Sequence, residues 1–173
     1  MEDRYLFKAK RTDNGEWVQG YLFDDGFENA RVFIGGLVIE KYTGTACDDW
    51  TISGSCFCKV DKSTICQCTG LRDKNGKLTW ENDILMCYDN TDNLVKVAYG
   101  EFDVIDADSL NVSDSVIGWH HEVVSMDALN KYELLRYDML PLTEYYIQLM
   151  ESKRIGNIFD NPELLESEVG NDK

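Results

Sequence analysis

Short runs of aromatic and β-branched residues, punctuated by Asn, Asp and Gly, fill most of this chain and predict strands. Residues 4–11 and 16–23 form the first pair. They join around Thr12-Asp13-Asn14-Gly15, whose Asn-Gly step is a hairpin signal. Trp17, Val18, Tyr21, Leu22 and Phe23 suit the second run to a pleated surface. A third extended run, 30–39, is interrupted by Gly35-Gly36, which predicts a turn or bulge. Residues 43–55 are polar and mixed, and read as loop. Residues 56–68 predict a further hairpin, with its tip near Lys62.

The richest turn chemistry lies at 69–85, Thr-Gly-Leu-Arg-Asp-Lys-Asn-Gly-Lys-Leu-Thr-Trp-Glu-Asn-Asp-Ile-Leu. Asp73-Lys-Asn-Gly76 predicts a turn whose Gly takes positive φ, and 77–80 the return strand. Glu81-Asn82-Asp83 predicts a second corner, with Asn82 tolerating the left-handed region. Residues 84–88 and 94–99 flank a hairpin turn at 89–93, and 101–105 adds a strand. Strands this short at this spacing predict a mainly β (α+β) fold built as a small barrel or a strongly bent sheet.

The pattern changes after residue 105. Ser125 can cap a helix over about 126–138, stopped by Pro141, with Leu129, Tyr132, Leu135 and Met139 as a packing stripe. Tyr145, Ile147 and Leu149 alternate, so 144–151 reads as a strand. Asn161 before Pro162 predicts a short C-terminal helix over 162–168, anchored by Leu164 and Leu165.

Composition sets outer bounds. A chain of 173 residues with 43% hydrophobic positions suffices for one domain, or one with a small annex. No apolar run is long enough to cross a bilayer, and the charged first residues lack a signal peptide's apolar core, so the expected location is cytoplasmic, with no membrane partner. Net charge is −15, which disfavours direct nucleic-acid binding by wrapping a phosphate backbone. It suits solubility, or an acidic surface docking on a basic partner.

The charge is uneven. Residues 1–11 and 59–77 are locally basic, whereas from 89 to 127 Lys96 stands alone among carboxylates. Asp89, Asp92, Glu101, Asp103, Asp106, Asp108 and Asp114 are therefore the candidate partner-binding residues.

Cys56-Phe-Cys58 and Cys66-Gln-Cys68 would face one another if 56–68 were a hairpin, and four thiolates could then hold zinc. One-residue gaps suit a zinc site poorly, and cysteine is often a small buried apolar residue, so no cofactor is expected. His120 and His121 are adjacent and would point to opposite faces of a strand. Asp106-Ala-Asp108 lacks the glycine and distal Glu of a calcium loop. No phosphate-cradling glycine loop or nucleophile elbow occurs, so catalysis is not expected.

Three blocks carry a resemblance: Arg4 to Tyr21, residues 67–85, and 155–165, which includes Gly156-Asn-Ile-Phe-Asp-Asn-Pro162. In this order they resemble the YopX family of small phage and prophage proteins. The family usually has Tyr where this chain has Cys68, and Gly where it has Asn82. The resemblance implies an SH3-like barrel core over a single domain, 1–173, and residues 106–143 carry no family motif, as a lineage-specific helical insertion would. It implies a phage or prophage origin and no established activity.

The expected function is that of a non-catalytic accessory protein in the bacterial cytoplasm. It would act through contacts with a host or phage protein, with self-association open. Two alternatives stand beside it: an acidic nucleic-acid mimic that inhibits a host defence factor or nuclease, and a nucleic-acid-binding small barrel using the basic residues of 1–11 and 59–77.

Overall fold

The structure, a computed structural model, describes residues 3–41, 50–105, 111–125 and 139–165. The chain divides into two compact units, 1–68 and 69–173. The boundary falls inside a strand, β5 (Cys66–Arg72), which contributes to both.

In the first unit β1 (Phe7–Lys10) and β2 (Trp17–Asp24) form the predicted hairpin, paired from Phe7↔Gly20 to Lys10↔Trp17. β3 (Val32–Lys41) continues the antiparallel sheet through Tyr21↔Gly35, and β4 (Trp50–Lys59) lies on its far side. β5 pairs with the other edge of β1 through Phe7↔Gln67 and Lys8↔Cys66. Ala9, Ile34 and Val60 are buried at the centre, with Phe7, Val18, Leu22, Val32 and Ile65 packed around them.

Two expectations fail here. Gly35-Gly36 does not break its strand; β3 runs straight through it. The loop expected at 43–55 gives way to β4 from Trp50 onward, and 42–49 lie outside the described residues.

The predicted hairpin at 56–68 is overturned. β4 pairs with β3 and β5 with β1, so β3, β2 and β1 stand between them in strand order. The reason lies in residues 59–61. Val60 donates its amide to Val32 (3.0 Å), Asp61 to Lys10 (2.8 Å), and Lys59 accepts from Thr12 (3.1 Å). This chain segment is thereby stitched between the start of β3 and the end of β1, with Val60 bridging Arg11. A single 3-10 turn, Lys62–Thr64, follows. Asp61 caps it, and buried Thr64 accepts from the Lys10 amide (2.9 Å).

In the second unit the latter half of β5 continues to β6 (Leu78–Trp80), and Thr69 and Thr79 join their hydroxyls at 2.6 Å. A separate antiparallel sheet has the order β10-β9-β8-β7-β11. Its strands are β7 (Asp83–Met86), β8 (Leu94–Ile105), β9 (Val112–Ser125), β10 (Met139–Pro141) and β11 (Lys153–Asn157). Leu85, Cys87, Val95, Val97, Leu140, Leu142, Ile147 and Met150 form its principal buried cluster.

The predicted strand at 144–151 is instead a helix, α1 (Glu144–Leu149). Thr143 caps it, its Oγ1 accepting from the Tyr146 amide at 3.2 Å. Ile147 and Met150, three apart, are the buried pair, whereas Tyr145 is exposed; the burial is helical, not alternating. Of the C-terminal helix expected over 162–168, the described part is a 3-10 turn, Pro162–Leu165, and 166–168 lie outside the described residues. β9 and β10 occupy part of the stretch expected to be a helical insertion, and the helix over 126–138 lies outside the described residues.

The fold is thus mainly β, with one α-helix and two antiparallel sheets among the described residues. Among the described residues neither sheet closes on itself in strand order, so the expected closed barrel is not seen.

Candidate functional site

The motif-bearing turns of the second unit explain themselves structurally. Asn82 has φ 64° and Gly76 φ 77°, as the turn chemistry requires. Asp73 accepts from the amides of Asn75 and Lys77 through one oxygen (both 2.9 Å) and from Arg154 through the other (3.0 Å). Asp83, fully buried, accepts from the Trp80 amide (3.0 Å) and meets the Arg154 guanidinium at 3.5 Å. At Gly156 a Cβ would collide with the Asn161 side chain, so the close approach there demands glycine. These residues hold β7 to β11.

Chemistry facing outward lies on the β8–β9 hairpin. Its register runs from Leu94↔Ser125 to Ile105↔Val112 and includes Tyr99↔Trp119, Glu101↔Ile117 and Asp103↔Ser115. Alternation therefore puts these six residues on one face. Tyr99 is 58% exposed and Ile117 71%, while half-buried Trp119 meets Tyr99 edge-on, ring centroids 5.0 Å apart. Glu101 and Asp103 are exposed beside them, and Ser115 Oγ donates to Glu101 Oε1 at 3.0 Å. On the reverse face Phe102 is buried against the His120 ring at 5.1 Å.

The candidate acidic residues are thus divided. Glu101 and Asp103 share the apolar face, whereas Asp114, opposite Val104, lies on the reverse one. Asp89 sits before β8 in two ion pairs, to Lys153 (2.7 Å) and Lys74 (2.8 Å), which hold its carboxyl down at about 2. Asp92 is exposed in the same turn, and Asp106 and Asp108 lie outside the described residues. Sequence reasoning missed Tyr99, Ile117 and Trp119. The available signal was the period of two that ties Tyr99 to Glu101 and Asp103.

Cys58 lies on β4, while Cys66 and Cys68 are buried on β5; the side chain of Cys56 is outside the described set. With the 56–68 hairpin gone, the facing register that would have brought four thiolates together is lost. Among the described residues no group of three or more His, Cys, Asp or Glu is placed to hold a metal ion.

His120 and His121 point to opposite faces as expected. His121 is fully buried, neither ring nitrogen has a hydrogen-bond partner, and burial, with His120 adding a little, pushes its pKa down to about 4.

Among the described residues no helix is long and apolar enough to cross a membrane. No curated protein matches the chain. A family model described as YopX protein matches residues 7–166, nearly the whole chain and both units. The three motif blocks and this match agree: the chain belongs to the YopX family.

Proposed function

We propose that this is a non-catalytic accessory protein of phage or prophage origin, acting in the bacterial cytoplasm by binding another protein through the outward face of the β8–β9 hairpin. One observation carries the reading: Tyr99, Ile117 and Trp119 form a contiguous, partly exposed apolar strip directly beside Glu101 and Asp103. Isolated apolar side chains are ordinary on a surface, but an aromatic–aliphatic cluster with a charged rim has the anatomy of an interface. The fitting partner is a protein that sets Lys or Arg beside an apolar anchor. The chain's net charge of −15 would steer such a basic partner towards it. The nucleic-acid mimic needs its carboxylates in one array, and the ion-paired Asp89 and reverse-facing Asp114 do not favour it.

Affinity capture with matched variants tests the reading. A genuine partner is retained by wild type and D114N, lost with I117S, and lost with E101K/D103K. Capture indifferent to I117S and E101K/D103K overturns the assignment of this face, and a defined catalytic turnover by the purified protein overturns the non-catalytic part. Loss of a dimer on I117S, seen by sedimentation, would make the partner a second copy of the chain.

A further inference from the structure

The first unit contains a cavity of about 680 Å³ where the turn after β1, the residues leading into β3 and the segment after β4 meet. Among the described residues Lys10, Arg11, Arg31, Lys59 and Lys62 line it, against Asp13 and Asp61. A chain of net charge −15 thus places five of its 17 cationic side chains around one concavity, with a local surplus of three.

Of the two carboxylates, Asp13 is engaged by a cation, Arg11, while Asp61 is bonded only to neutral donors and keeps its charge beside the lysines. Asp13 takes Arg11 Nε at 2.9 Å and Nη2 at 2.5 Å, and Asp61 takes the amide and hydroxyl of Ser63 (3.0 and 2.8 Å). Arg31 is held at its Nε by Asp25 (2.6 Å), whose other oxygen accepts the Arg31 amide (3.0 Å). Its two terminal nitrogens make no hydrogen bond among the described residues. Lys59 and Lys62 make no ion pair there either. The walls are fixed by the amide bonds around the Arg11–Val60 bridge, so backbone geometry brings Lys59 and Lys62 beside the ion-paired Arg11.

We propose that this cavity binds a compact phosphorylated ligand, its phosphate groups held by Arg31, Lys59 and Lys62 with Arg11 and Lys10 behind them. Guanidinium forks and ammonium groups match phosphate oxygens in geometry and charge. The volume lies in the range of small-molecule sites. Among the described residues no aromatic ring lines the cavity, so these offer no platform for stacking successive bases. The negative charge of the whole chain also opposes a long polyanion. A small ligand carrying a short phosphate chain fits both facts, whether it is free polyphosphate or the phosphates of a nucleotide.

Calorimetric titration with inorganic tripolyphosphate, ATP and a single-stranded oligonucleotide tests this on the whole chain. The expected result is saturable tripolyphosphate binding that weakens about tenfold or more in R31Q and in K59Q/K62Q, and also as salt rises. K77Q, at an exposed lysine outside the cavity, leaves it unchanged. ATP binding with equal affinity assigns the site to the phosphate chain alone, and tighter ATP binding to a nucleotide. No saturation at millimolar tripolyphosphate, indifference to the cavity variants, or tighter binding of the oligonucleotide than of either small ligand overturns the proposal. Circular dichroism of each variant checks that the fold survives. The hairpin variants lie in the other unit, so the two proposals fail or stand separately.

Discussion

Asp73 accepts a hydrogen bond from the backbone amide of Arg154, 81 positions further along the chain, at 3.0 Å. Its other oxygen closes the turn that Gly76 completes. One buried carboxylate therefore shapes a local turn and anchors a distant strand. Asp73→Ala strips partners from three amides and is expected to destabilise by about 3 kcal/mol. Asp73→Asn, which keeps an acceptor, costs less. Urea unfolding measures both, and equal losses would refute the dual role.

Gly156 and Asn161 occupy adjoining space with no room for a methyl group. Gly156→Ala is expected to destabilise by about 2 kcal/mol through overpacking. The double variant with Asn161→Ala should cost less than the sum of the single changes, because the second removes the atoms that the first collides with. Strict additivity in a double-mutant cycle would contradict this.

His121 is buried neutral, with a folded pKa of about 4 against an ordinary 6.5. Between those values the unfolded chain holds a proton that the folded one excludes. Its contribution is complete above about pH 6.5 and is lost as pH falls towards 4, by about 3 kcal/mol in all. His121→Leu loses no hydrogen bond. It should flatten that part of the stability curve and gain about 1 kcal/mol at neutral pH. Parallel pH profiles for the two proteins would rule the effect out.

The exposed Asp89 carboxyl is held low chiefly by Lys153 and next by Lys74. Carbon-detected NMR titration should find it near 2 in the native protein and higher in Lys153→Met. An unmoved midpoint would mean that the ion pair is not formed in solution.

What was legible in the sequence was local. The Asn14-Gly15 hairpin, the Gly76 turn and the Asn82 corner follow from backbone chemistry within four residues, and each is present. Strand partners were not legible. The 56–68 segment has hairpin-like ends, but the bonds around Val60 send β4 and β5 to different neighbours. Tyr145, Ile147 and Leu149 alternate like a strand, and only the fit of Ile147 and Met150 into one cluster, behind the Thr143 cap, makes a helix of them.

The same division applies to the candidate surface. Glu101 and Asp103 share a face because they are two apart on one strand. Asp114 reaches the other face through the register between β8 and β9, and a shift of one residue would reverse it.

β7 is flanked by β8, its neighbour in sequence, and by β11, the last of the described strands. During synthesis, β7 and β8 can pair long before residues 153–157 leave the ribosome. Until they do, the outer edge of Asp83–Met86 is an open template, with buried apolar residues beside it and the Asp73 and Asp83 carboxylates lacking Arg154. Completion of this sheet is therefore a late, long-range event. A chain stalled or cut before β11 would leave an edge that invites pairing with its neighbours.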